Sequence, residues 1–266
     1  MPRHLLAWIV LACTACFARD PEKWPARESL EKYQAYIHEA ETRIQREVQS
    51  PIYLWAEQSP ARWARVRGGE AVVEPWNAQG DSDIGDALIH DWIGAYFISG
   101  VKLTQAASFL QDYGVHKDFY RPEVIDSRLL SHSGNDYRLF YRLVKKKIIT
   151  VVLNTEHTAR YYPISDARLV TSSYTTRIAE VKNAGKPTER ELPPGEDHGF
   201  LWRLNTYWRL EEKDGGVYIE CQTISLTRTV MLGLGWLINP IIRSLPRESL
   251  AHMLTATAEG VRSRAP

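Results

Sequence analysis

The chain has 266 residues, and 33 Lys and Arg stand against 32 Asp and Glu, giving a net charge of +1. A chain this long buries a core without disulfide or metal staples, and the charge balance excludes the concentrated basic surface that a nucleic-acid partner requires. Aromatic rings stand out: the 9 Trp and 13 Tyr suit a half-buried sheet and equally the wall of an apolar cavity.

Residues 1–18 read as a secretory signal. Arg3 and His4 precede the apolar run Leu5 to Phe17, and Cys16 and Ala18 occupy the small positions before a cut ahead of Arg19. The run is shorter than the about 20 apolar residues of a bilayer-spanning helix. Val10-Leu11-Ala12-Cys13 loosely resembles a lipobox, so a lipoprotein is the second reading. The expected location is periplasmic or secreted. Cleavage leaves only Cys221, which cannot form an intramolecular disulfide and reads as a small buried hydrophobe.

Ser29 to Val48 predicts an amphipathic helix, because Leu30, Tyr33, Ile37, Ala40, Ile44 and Val48 recur at helical steps before Pro51. Residues 62–76 predict a hairpin, with Arg65-Val66-Arg67 and Ala71-Val72-Val73 flanking Gly68-Gly69. Residues 77–86 have loop composition. Leu88 to Ser99 predicts a strand, Thr104 to Tyr113 a short helix capped by Thr104, and His116 to Tyr120 another, stopped by Pro122. Strand patterns follow at Val124–His132, Tyr137–Val144, Ile148–Asn154, Ala159–Pro163, Leu169–Lys182, Gly199–Glu211 and Val217–Thr227. Turns fall at Ser133-Gly134-Asn135-Asp136, Lys145-Lys146-Lys147 and Asp214-Gly215-Gly216. The apolar run Val230–Ile242 and a helix over Arg247–Val261 close the chain, with Pro240 and Pro246 as breaks between them.

One strand, two small helices, a run of antiparallel strands and a long final helix form a recognisable order. Together with stretches such as Leu88-Ile89-His90-Asp91-Trp92-Ile93-Gly94, Asp126-Ser127-Arg128-Leu129-Leu130 and Tyr207-Trp208-Arg209-Leu210-Glu211, it resembles the START-like superfamily of lipid-transfer and polyketide cyclase-like proteins over residues 87–263. The resemblance implies an α+β helix-grip fold: an antiparallel sheet curved around a long C-terminal helix, enclosing an apolar cavity. The expected organisation is a signal at 1–18, an N-terminal helix and hairpin extension at 19–86, and the START-like ligand-binding domain at 87–266. Fold alone fixes neither ligand nor reaction.

Strand alternation assigns faces. In the last hairpin, Arg209 is expected opposite Glu220, Trp208 opposite Cys221 and Tyr207 opposite Gln222. Phe200, Trp202, Leu204, Thr206, Trp208 and Leu210, with Val217, Ile219, Cys221, Thr223 and Ser225, should look inward. The row containing Arg209 and Glu220 should meet solvent as an exposed pair worth ~0.2–1 kcal/mol. Tyr137, Leu139, Tyr141 and Leu143 form another inward face, and Val170, Tyr174 and Ile178 a third. The expected ligand-binding residues are Tyr141, Tyr174, Trp202, Leu204, Thr206, Trp208, Ile219, Thr223 and Trp236. The run Val230–Ile242 has three readings: a buried helix start, a flap at the cavity mouth, or transient membrane docking through Trp236.

No chemistry-bearing motif emerges. His38-Glu39 lacks the second His of a zincin, and no nucleophile elbow or phosphate loop is present. His90, His132, His157 and His198 have no metal-ligand spacing, so neither metal nor cofactor is expected. His157, Glu220 and Arg177 become candidates for catalysis only if the strand faces are reversed. The leading expectation is an exported carrier of a lipid-like or other apolar small molecule. The alternatives are a cyclase- or hydrolase-like enzyme on the same scaffold and an interaction protein with a filled cavity.

Overall fold

A computed structural model describes residues 25–77, 80–146, 150–229 and 235–264, excepting the side chains of 235–243. The signal reading at 1–18, the last lysine of the 145–147 turn, most of the 230–242 run and the Trp236 side chain lie outside the described residues. Helix α1 (Arg27–Val48) buries Tyr33, Ile37, Ala40 and Ile44, the stripe that its spacing predicts. A single 3-10 turn (Trp55–Gln58) leads to α2 (Pro60–Arg67), whose Ser59 cap accepts from the Arg62 N–H. Then come β1 (Val72–Pro75), β2 (Asp81–Asp83), β3 (Ala87–Ser99), α3 (Leu103–Gln111) and α4 (His116–Phe119). Strands β4 (Val124–Ser133), β5 (Asp136–Lys146), β6 (Thr150–Ser165), β7 (Arg168–Lys182), β8 (Arg190–Glu191), β9 (Arg203–Lys213) and β10 (Gly216–Arg228) precede α5 (Gly235–Arg262).

Among the described residues the strands form one antiparallel sheet in the order β1-β3-β10-β9-β7-β6-β5-β4, with β2 beside β3 and β8 beside β7. Strand β3 therefore crosses the molecule to lie against β10, and the sheet wraps α5 as a helix grip. On the inner face, Leu139, Leu169, Trp208, Leu210, Ile219 and Cys221 pack in one core with Phe109 of α3 and Leu250, Leu254 and Val261 of α5.

Three sequence expectations need correction. The 62–76 segment is a helix leading into a strand, not a hairpin. Gly68 follows the last turn of α2, and Gly69, at φ +85°, redirects the chain into β1. The predicted strands at 148–154, as far as it is described, and Ala159–Pro163 belong to one strand, β6, which runs without a break because buried Thr155 and His157 alternate with half-buried Glu156 and Thr158 across its polar middle. Pro240 and Pro246 do not end the last helix, which runs unbroken through both.

The charged row of the last hairpin is the fourth correction. Its register is as expected, with Glu220 opposite Arg209, Cys221 opposite Trp208 and Gln222 opposite Tyr207. Its environment is not, because Arg209 is 4% exposed and Glu220 1%. Alternation fixes the side of a residue, not what covers that side. Here the outer face also carries Tyr207, Tyr218, Ile224 and Leu226, and two layers bury it. Helix α1 lies over Ile89, Tyr207, Ile224 and Leu226, and the segment around Tyr53–Val66 lies over Ile93, Ala95 and Tyr218. Between them runs a polar seam. The Glu220 carboxylate accepts from the backbone N–H of Trp55 (2.9 Å) and Ala56 (2.7 Å). It pairs with Arg209 at 3.3 Å, and Arg209 reaches Glu47 of α1 at 2.8 Å. The buried Asp91 carboxylate accepts from Gln222 (2.7 Å) and from the Tyr36 hydroxyl (2.8 Å). Residues 25–83 are thus built into the domain: α1 covers the sheet and β1 and β2 extend it.

Candidate ligand site on the inner face of the sheet

The inner face has two halves of different character. The half beneath α3, α4 and the end of α5 is filled by rings whose polar tips are satisfied. Tyr113 and Tyr161 share a hydrogen bond at 2.8 Å, and the Tyr161 hydroxyl also donates to the Leu110 carbonyl (2.8 Å). Tyr120 meets Thr257 at 2.9 Å. His116 places Nε2 3.1 Å from the Phe109 carbonyl and Nδ1 2.6 Å from the Tyr141 hydroxyl. The carbonyl must receive a proton, so Nε2–H donates and the tyrosine hydroxyl donates to Nδ1. His157 lies edge-on to Tyr141, with Nε2 2.9 Å from the Thr155 hydroxyl. Burial pushes both imidazoles down to about 4, so both are neutral at neutral pH.

The other half is polar and less filled. Strand pairing sets Trp92, Thr223, Thr206 and Ser173 in one cross-strand row, and His90, Ser225 and Leu204 in the next. The Leu204 N–H donates to the Thr175 hydroxyl at 3.1 Å. Leu204, Thr206, Thr223, Ser173 and Thr175 remain half-buried although they face the inside of the wrap. Beside this floor the sheet parts. Strand β7 pairs with β9 only as far as Tyr174 and Asn205, and then diverges to meet β8. The gap is a cleft of about 320 Å³, bordered by Leu153, Thr175, Ile178, Phe200, Trp202 and Arg203.

The expected ligand-binding residues divide accordingly. Leu204, Thr206 and Thr223 lie together on the floor. Tyr141, Trp208 and Ile219 also face inward but belong to the packed half. Trp202 does not join the inward row, because β9 begins only at Arg203 and alternation cannot be extended back past it. Its ring sits with Tyr33 and Tyr207 in the outer layer, its N–H donates to Asp197 (2.9 Å), and it reaches the ligand side only as a border of the cleft. Tyr174 is on the outer face and 50% exposed. A bulge places both Arg177 and Thr175 against consecutive residues of β6, with Thr176 as the extra residue, so Val170 and Tyr174 share one face and Ile178 takes the other. The faces are not reversed: Glu220 lies outside and Arg177 pairs with Glu191, while His157, paired with inward Leu139, lies inside without a reversal.

Sequence reasoning missed a buried chain of polar groups at the edge of the floor. Asp81 pairs across strands with His90, and its carboxylate lies 2.6 Å from His90 Nδ1. His90 Nε2 lies 2.9 Å from the Thr227 hydroxyl. Asp81 sits in a segment with loop composition, and no spacing signal links it to residues 9 and 146 positions later. Only the pairing of β2, β3 and β10 assembles the three. Nearby, the Trp92 indole N–H is buried with no hydrogen-bond acceptor among the described residues.

No family model matches the chain, and no curated protein matches it. Several solved structures are similar. TTHA0849 from Thermus thermophilus is 10% identical at a TM-score of 0.49, over 65% of this chain and 98% of that one. A STAR-related lipid transfer protein fragment from Xanthomonas axonopodis is 14% identical at 0.47, over 72% and 98%. Human STARD10 is 13% identical at 0.43, over 76% and 80%. At such identities the likeness is one of fold.

Proposed function

We propose that this START-like helix-grip protein binds an apolar small molecule between the inner face of its sheet and α5. One observation carries the reading: inward-facing Leu204, Thr206, Thr223, Ser173 and Thr175 stay half-buried at the centre of the wrap and adjoin the cleft between β7 and β9. The cleft sets Leu153, Ile178, Phe200 and Trp202 beside Thr175 and the charged Arg177, Glu180, Asp197 and Arg203, so apolar burial would supply affinity and the polar groups would orient the guest. The packed aromatic half forms the closed end. The apolar run Leu5–Phe17 supports export, so the proposed role is that of a carrier outside the cytoplasm.

A thermal-shift panel of fatty acids, isoprenoid alcohols and polycyclic aromatics on delipidated protein tests this, with native mass spectrometry of the freshly purified form. Saturating ligand at about 100 times Kd raises stability by about 2.7 kcal/mol. Leu204→Glu should abolish the shift by placing a charge on the floor. Flat melting curves across the panel, with no co-purifying mass, would overturn the reading.

A further inference from the structure

We infer that Asp81, His90 and Thr227 make this chain an esterase acting on a carboxylic ester held over the floor. The inference rests on the binding reading for its substrate class, an ester with an apolar acyl chain. Three neighbouring strands supply one residue each, β2 Asp81, β3 His90 and β10 Thr227, and all three are buried, at 6%, 1% and 9% exposed. The 2.6 Å contact between carboxylate and Nδ1 puts the imidazole proton on Nδ1. Nε2 then presents a lone pair, and the hydroxyl 2.9 Å away donates to it. A hydroxyl donating to an imidazole that a carboxylate orients is the arrangement of an activated nucleophile.

The array adjoins the floor. Ser225 lies opposite both His90 and half-buried Leu204, and Thr227 follows it on the same face of β10. A second observation points to a ligand: the Trp92 N–H, on the same face of β3 as His90, is buried without an acceptor among the described residues. A buried donor left unmade is costly, and an oxygen of an ester guest would satisfy it.

The step balances without a co-reactant other than water. The Thr227 oxygen bonds to the ester carbon as its proton moves to His90 Nε2. The carbon–alkoxide bond breaks, and the departing alcohol takes that proton. Water then attacks the acyl-Thr227 ester, giving its proton to His90, which returns it to the Thr227 oxygen as the acid leaves. Asp81 is a positioning residue, holding the tautomer.

The test uses p-nitrophenyl butyrate turnover, an alkyl fluorophosphonate with adduct mapping, and N-phenyl-1-naphthylamine fluorescence for cavity binding. Expected are p-nitrophenol release and one adduct, on Thr227. Thr227→Val and His90→Gln should each lose at least about 100-fold in turnover. Thr227→Ser should keep activity, and Asp81→Asn should displace the pH profile, which a structural pin would not do. Should Thr227→Val fail to fold, the mapped adduct and the active serine variant decide. Naphthylamine binding without turnover or adduct overturns the esterase and leaves the carrier reading standing. Turnover that survives in a folded Thr227→Val also overturns it. Loss of both naphthylamine binding and adduct ends both.

Discussion

At the scale of single residues, buried titratable groups set the pH response, and they act in opposite directions. His116 and His157 are held near 4 by burial, below the ordinary 6.5. The native state resists their protonation, so the stability they contribute is present above pH 6.5 and is lost as pH falls towards 4, by up to about 3 kcal/mol each. His157→Gln should flatten the acid limb, and urea midpoints at pH 7 and 4.5 would show it. Asp91 has the opposite sign. Burial raises it to about 6 from 3.8, against the hydrogen bonds from Gln222 and Tyr36 and the charge of Arg43. Its native state prefers the proton, so its contribution is present below about pH 4 and is lost as pH rises through 6. Asp91→Asn keeps an acceptor for Gln222 and removes the buried charge. It should exceed the wild type by on the order of 3 kcal/mol at pH 7.5, and the gain should vanish at pH 4. Equal stability gaps at both pH values would exclude this account.

At the scale of elements, close approach decides. Gly260 lies in the interior of α5, where Ala would gain up to about 1 kcal/mol in helix propensity. A Cβ there would fall 2.0 Å from the Phe109 ring, which other rings hold on several sides. Overpacking costs typically about 1–3 kcal/mol, so Gly260→Ala should lower the melting temperature despite the better helix former. The anchor at Glu220 has more at stake. Glu220→Ala leaves Arg209 only Glu47 as a carboxylate partner and frees the buried Trp55 and Ala56 amides, and at about 1–3 kcal/mol for each unsatisfied donor it should lower stability in urea unfolding by several kcal/mol. Sequence periodicity revealed α1, β3, the small helices and the register of the last hairpin, because each has one apolar face and a clear end. It failed where one residue changes the meaning of a pattern. The extra residue at Thr176 put Ile178 on the opposite face from Val170 and Tyr174, and the start of β9 at Arg203 left Trp202 out of its row. Gly68-Gly69 suits a helix end as well as a hairpin, and Arg65-Val66-Arg67 favours neither.

At the scale of the molecule, the sheet is a middle layer over part of its width. Strands β3, β10 and β9 carry α5 on one side and α1 with the 53–66 segment on the other, whereas the β4–β5 wing carries exposed Ile125, Leu129 and Leu130. Alternation along a strand could not disclose this, since a face with Arg209, Glu220 and Gln222 reads as solvated until its cover is known. For the same reason the boundary at residue 87 should not behave as a folding boundary. A chain shortened to 87–266 should expose Tyr207, Tyr218, Ile224 and Leu226 and leave Glu220 without its amide donors. It should therefore lack a cooperative thermal transition, whereas the chain from residue 25 should keep one.

The double cover also orders the molecule in time. Amide hydrogens of Ile219 to Ile224 can trade with deuterated solvent only if β10 parts from β3 or β9, an opening that the layers packed on both faces oppose. Those of the lightly covered strand at the free edge need a far smaller opening. Unfolding should therefore start at that edge and reach the middle of β10 last, making this strand the slowest-exchanging part of the protein.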